Sequence, residues 1–160
     1  MTMTEPTIVD LQSSAAAVIR ATVPTDSVRD FYDRAFGQVA GALAAQGVAP
    51  AGPALALYWG VPADTIDLAC GFPTPGLIAP DGEVVPFEVP ACRAAQAVHE
   101  GSYDTLGDTY HQLAEWMFAQ GVRPGPLMWE SYETEPTPDA DPASMRTRIS
   151  WPLAAEEGGR

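Results

Sequence analysis

The chain has 160 residues, 46% hydrophobic and 18% charged, the size and composition of one ordinary globular domain with a real core. Its formal net charge is −13 and all eight basic residues are arginine. So acidic a surface repels phosphate backbones, and with no basic stripe or recognition helix in view the chain itself is not expected to bind nucleic acid.

No apolar run approaches the roughly 20 residues of a membrane span. Met1 to Asp10 carries acid and no basic residue ahead of an apolar stretch, unlike a signal peptide. A cytoplasmic location without membrane partners is the expectation. Thr7 to Gln12 reads as an extra strand that extends an edge.

An internal repeat then organises the chain. AFGQVAGALAAQGVAPAGP, from Ala35 to Pro53, matches TYHQLAEWMFAQGVRPGP, from Thr109 to Pro126. Phe36 pairs with Tyr110, Val39 with Leu113, Leu43 with Met117 and Gly47 with Gly121, a constant offset of 74 positions. Ala51 reads as one extra residue, after which Gly52-Pro53 matches Gly125-Pro126 at an offset of 73. Gly71-Phe72-Pro73 resembles Ser150-Trp151-Pro152.

Each half predicts the order strand, helix, strand, strand. In the first, Ala16 to Val23 is a strand. A one-faced helix from Val28 to Gln46 follows, with Phe31, Tyr32, Ala35, Phe36, Val39 and Leu43 on one stripe. Thr25 or Asp26 is its cap candidate and Gly47 its stop. Strands are expected at Ala54–Trp59 and Thr65–Phe72. The connector 74–90 is rich in Pro, Gly and acid, and Glu83 to Val89 in it can pair locally. In the second half Cys92–His99 is a strand. The helix Thr105–Gln120 follows, with cap candidates Ser102 and Asp104 and stop Gly121. Strands then cover Leu127–Thr134 and Met145–Trp151, and the tail 154–160 is expected to be mobile.

The whole reads as a single α+β domain, residues 1–160, with repeat one at about 7–73 and repeat two at about 91–153. Its two helices are expected on one face of a curved antiparallel sheet, with a ligand cleft between the repeats.

Cys70 and Cys92 match no zinc or redox spacing and read as reduced core thiols. His99 and His111 are too scattered for a metal site. No GxSxG, GxGxxG or P-loop pattern occurs, so neither metal nor cofactor is expected.

The strand PLMWESYET is the informative one. Alternation puts Met128, Glu130 and Tyr132 on one face and Leu127, Trp129 and Ser131 on the other, the second being expected toward the helices. A mid-strand carboxylate between large apolar side chains is costly unless it is paired. At offset 73 Glu130 corresponds to Leu57, Met128 to Leu55 and Tyr132 to Trp59, so the fold does not require an acid there and function is indicated. The structural alternative is an ion pair with Arg93, Arg146 or Arg148. Trp59, Phe72, Tyr132 and Trp151 fall at strand ends or on the Glu130 face, with Tyr103 close in sequence. Aromatic rings around one acid suit a flat organic cation.

These residues resemble the GyrI-like domains, also known as effector-binding domains of AraC-type and MerR-type multidrug regulators. The resemblance rests on Gly101-Ser102-Tyr103, the helix stop Gly121-Val122, the strand Glu130-Ser131-Tyr132, and the closing Thr147 to Pro152. Val23-Pro24 and Gly71-Phe72-Pro73 look like the actinobacterial version. It implies a tandem strand-helix-strand-strand fold with a ligand cleft, the acid matching Glu130 being the one associated with cationic drugs. Some members are instead hydrolases that open cyclopropane rings of DNA-alkylating antibiotics, which would cast Glu130 as general base beside Tyr132. The name-giving member restrains DNA gyrase, so a protein-interaction role is a third possibility. The regulators carry a helix-turn-helix for which this chain has no room, and a stand-alone domain is expected.

The expected ligand site therefore comprises Leu57, Trp59, Phe72, Tyr103, Met128, Glu130, Tyr132 and Trp151.

Overall fold

In a computed structural model, the described residues are 2–3, 5–60, 64–101, 106–133 and 145–154. The fold is α+β, two tandem strand-helix-strand-strand repeats with antiparallel pairing throughout. The chain divides into two compact units, Gln12–Ala91 and Met1–Leu11 with Cys92–Arg160.

In the first unit β3 (Ser14–Pro24) leads through a 3-10 turn, Thr25–Ser27, into α1 (Val28–Ala45). β4 (Leu55–Trp59), β5 (Thr65–Thr74) and β6 (Val85–Val89) follow. β5 lies between β4 and β3, and β6 pairs with the other edge of β3, Ser14 opposite Val89. The connector thus supplies a strand that joins a distant partner as well as the local bridge Asp81–Val84.

In the second unit β7 (Cys92–Glu100) precedes α2 (Leu106–Ala119), then β8 (Leu127–Tyr132) and β9 (Arg146–Pro152). β9 lies between β7 and β8. β1 (Thr2–Met3) and β2 (Thr7–Leu11) both pair with β7, so the extra strand at Thr7 extends the edge of the second repeat's sheet.

Both helices stop as the repeat predicts. Gly47 and Gly121 carry φ of 70° and 79°, the left-handed region that only glycine enters without cost. The same bonds close both ends: Val48 donates to the Leu43 carbonyl at 2.9 Å and Val122 to Met117 at 3.0 Å. The start of α1 differs from expectation. Among the described residues no side chain caps it, and Thr25 instead donates its hydroxyl to the Asp64 carbonyl at 3.3 Å, tying the turn to the strand connection. Ser102 and Asp104, the cap candidates of α2, lie outside the described residues.

The helices bury matching stripes. Phe31, Ala35, Val39 and Leu43 of α1 are buried, as are Thr109, Leu113 and Met117 of α2. Cys70 is buried as expected, which pushes its thiol up to about 12, whereas Cys92 at the start of β7 is only half-buried.

At Gly71 in β5, an added Cβ would lie 1.8 Å from the Ala17 carbonyl oxygen of β3. The clash is with backbone, so no rotamer change relieves it. We expect Gly71→Ala to destabilise the protein by about 1–3 kcal/mol or more, the usual cost of overpacking a close-packed interior. Urea denaturation checks this, an unchanged midpoint being the contrary result.

Candidate functional site

The side chains that matter sit on the α2-facing side of β7, β9 and β8. Directly opposed residues of an antiparallel pair share a face. Ile149 of β9 stands opposite Ala97 of β7 and Glu130 of β8. Ile149 and Ala97 form one core cluster with Leu113 and Met117 of α2. Glu130 therefore points toward α2, and the Tyr110 hydroxyl on α2 donates to its Oε2. This overturns the expectation that the Glu130 face is the one away from the helices. Trp129, expected toward the helices, is the residue that points away, on the face of Ser150 and Gln96.

The reason is the register of the repeat. Gly125 donates to the Pro152 carbonyl, and Ala51 donates to the Pro73 carbonyl in the same way, both at 2.8 Å. Gly125 therefore corresponds to Ala51, and the offset of 74 continues into β4 and β8. Cys70 is the counterpart of Ile149, and its partner on β4 is Ala56. The residue equivalent to Glu130 is Ala56, and Leu57 is on the opposite face. Where one unit has an alanine, the other has an acid.

The carboxylate is almost wholly buried, at 4% exposure. Its Oε1 accepts the Tyr132 hydroxyl at 2.6 Å, two residues on along the same face. Burial pushes the carboxyl above its usual range. The hydrogen bonds from Tyr110 and Tyr132, then the charge of His99, pull against that shift without cancelling it. His99 is fully buried on β7, with Nδ1 2.5 Å from the Thr109 hydroxyl of α2. Thr147 of β9 stands between His99 and Tyr132, opposite both.

The arginines considered as partners go elsewhere. Arg146 reaches Glu100 at 2.5 Å and Arg148 reaches Glu133 at 2.7 Å, and alternation puts both on the face away from α2. Arg93 is exposed at the far end of β7.

Trp151 lies on the same side as Glu130, its ring edge-on to Tyr110 at 5.9 Å and its indole N–H donating to the Gly125 carbonyl at 3.0 Å. Tyr110, Tyr132, Trp151 and Met128, on the same face as the buried carboxylate, remain half-exposed.

Of the expected site residues, Glu130, Tyr132, Met128 and Trp151 thus share one face. Phe72 lies in the other unit, toward α1, against Phe36 at 5.9 Å, the same separation as the Tyr110–Trp151 pair it mirrors. Leu57 and Trp59 lie on the side of their unit away from α1, where Arg20 stacks 3.9 Å over the Trp59 ring. Tyr103 lies outside the described residues. Tyr110, Thr109 and Thr147 were not among the expected site residues, and His99 was weighed as a metal ligand. Tyr110 reads as one more core residue of a stripe, and only its hydroxyl hinted at a polar role.

The GyrI-like small molecule binding domain matches residues 4–154. The chain belongs to this family. No curated protein sequence matches this GyrI-like chain. Among solved structures it is similar to the C-terminal domain of EcmrR, at 21% identity and a TM-score of 0.80, covering 94% of this chain and 97% of that one. It is also similar to SAV2435 bound to tetraphenylphosphonium, at 12% identity and a TM-score of 0.69, covering 94% of each chain. A hydrolase from Listeria innocua shares 14% identity at a TM-score of 0.64, covering 94% of this chain and 92% of that one. At these identities the structures show a shared fold.

A buried acid with a raised pKa makes stability depend on pH. In the unfolded chain Glu130 ionises near its ordinary value of 4.5. Its contribution is full below that value and is lost as pH rises through the raised folded value. Glu130→Gln has no such loss. We therefore expect it to melt higher than the parent at neutral pH, by roughly 2–4 °C for each kcal/mol relieved in a chain of this size. The gap should close as pH falls toward the ordinary carboxyl value. Thermal melts of both proteins across pH check it, and a lower-melting Gln variant at neutral pH is the contrary result.

Proposed function

We propose that this GyrI-like domain binds aromatic organic cations on the α2-facing side of its second unit, with Glu130 as the counter-charge. The observation that carries the reading is a buried carboxylate gripped by two tyrosine hydroxyls and bordered by half-exposed rings. Desolvation makes a carboxylate a strong partner for a delocalised cation, and ring faces attract the same charge. Strongly hydrated small cations lose more water on entering and gain less from the rings. The family's small-molecule binding and the tetraphenylphosphonium held by SAV2435 agree with this chemistry.

Tetraphenylphosphonium is therefore the first probe. It should raise the melting temperature, because it binds the folded state alone, and quench fluorescence from Trp151. Glu130→Gln should weaken its binding about 30-fold or more, corresponding to the lower end of the roughly 2–5 kcal/mol lost when a buried charge pair is truncated. Neutral triphenylphosphine oxide should lose little. Because a proton and the cation compete for the same carboxylate, affinity should rise as pH is raised through the Glu130 titration. If neither a melting shift nor quenching is seen with tetraphenylphosphonium or a panel of cationic dyes, the reading fails.

A second reading is favoured by the similarity to a hydrolase. Glu130 can take a proton from water whose oxygen attacks an electrophilic carbon, while a tyrosine hydroxyl protonates the leaving group. Incubation with a cyclopropane-bearing alkylator tests it. The product must gain the mass of one water with the parent protein and not with Glu130→Gln.

A further inference from the structure

Thr147 opens the closing strand motif on β9. The residue is fully buried, and its Oγ1 makes no hydrogen bond among the described residues. Its place is specific. Register sets it directly opposite Tyr132 on one side and His99 on the other, on the face that carries Glu130. Its neighbours on that face are satisfied: Tyr132 donates to Glu130, and His99 meets Thr109. An unpaired buried hydroxyl costs about 1–3 kcal/mol, so such groups are rarely kept without a partner. A hydroxyl can both donate and accept.

We propose that the Thr147 hydroxyl is a specificity-determining subsite of the Glu130 site, recognising a hydroxyl or carbonyl group carried by the cationic ligand. The proposal rests on the reading of this face as a ligand site. The acid takes the charge, the rings take the flat surface, and Thr147 takes one polar substituent one residue pair further along the sheet. Ligands that present such a substituent leave no buried polar group unmatched, whereas purely apolar cations do. A site of this kind prefers hydroxylated or carbonyl-bearing aromatic cations over bare ones.

The test compares tetraphenylphosphonium with (4-hydroxyphenyl)triphenylphosphonium by calorimetry. The parent protein should bind the hydroxylated cation about 2- to 12-fold more tightly, the value of one net hydrogen bond of about 0.5–1.5 kcal/mol. Thr147→Val replaces the hydroxyl by a methyl of similar size. It should abolish the preference for the hydroxylated cation and melt no lower than the parent. Thr147→Ser keeps the hydroxyl and should keep the preference. Equal affinities for the two cations in the parent, or a preference that survives Thr147→Val, would overturn the subsite while leaving cation binding intact. A lower-melting Thr147→Val would also overturn it, by showing that the hydroxyl serves the fold through a bound water. Absence of tetraphenylphosphonium binding to the parent would instead strike the underlying reading.

Discussion

A carboxylate held inside the protein by two tyrosine hydroxyls is the constraint around which the second unit is arranged. Glu130 sits where its sheet meets α2, a place that elsewhere is filled by Ala97, Ile149, Leu113 and Met117. Such an acid is tolerated when its oxygens are hydrogen-bonded or when it takes up a proton. Tyr110 supplies one hydrogen bond from the helix and Tyr132 the other from the strand. The helix is thereby tied to the sheet by a polar contact in the middle of an apolar seam. The same contact fixes the orientation of the carboxylate, which is what a binding site for charge requires.

The duplicated frame shows what the second unit adds to the first. In the first unit Ala56 stands in the place of Glu130 and Tyr58 in the place of Tyr132, and Tyr58 bonds the hydroxyl of Tyr32 on α1. Phe36 meets Phe72 as Tyr110 meets Trp151. At the positions of Glu130 and its tyrosines the first unit has an alanine and rings instead of an acid. The other places an acid whose pKa is raised by burial and a buried histidine that acts on it electrostatically. The helix stops, the ring pairs and the turn bonds are common to both, so the fold requires none of the acid, Thr109 or His99. Their presence in one unit only is what supports the proposal of a site there.

The elements were legible because periodicity and punctuation agree. The stripe from Phe31 to Leu43, the stops Gly47 and Gly121 and the strand runs fall where pattern puts them. The faces were not legible. In PLMWESYET both faces carry large apolar rings, and Trp129 is itself buried on its own side, so alternation separates two faces without saying which meets a helix. Matching Gly52-Pro53 with Gly125-Pro126 then shifted the register by one, which in a strand moves every side chain to the other side. The backbone bonds of Ala51 and Gly125 to their prolines, not the identity of the glycine, define the correspondence. Glu130 was recognised as out of place in an apolar strand. Its partners were not, because Tyr110 and Thr109 lie on a helix stripe that apolar spacing alone explains, and His99 was weighed as a metal ligand.

The central claim is that an organic cation takes the place of a proton on Glu130. Titration calorimetry of tetraphenylphosphonium in two buffers of different ionisation enthalpy, repeated across the pH range of the Glu130 titration, measures this directly. Binding to the parent protein should release protons, most where Glu130 is still largely protonated before the cation arrives, and none with Glu130→Gln. Cation binding with no proton release at any pH, or with the same release from the Gln variant, would contradict the account.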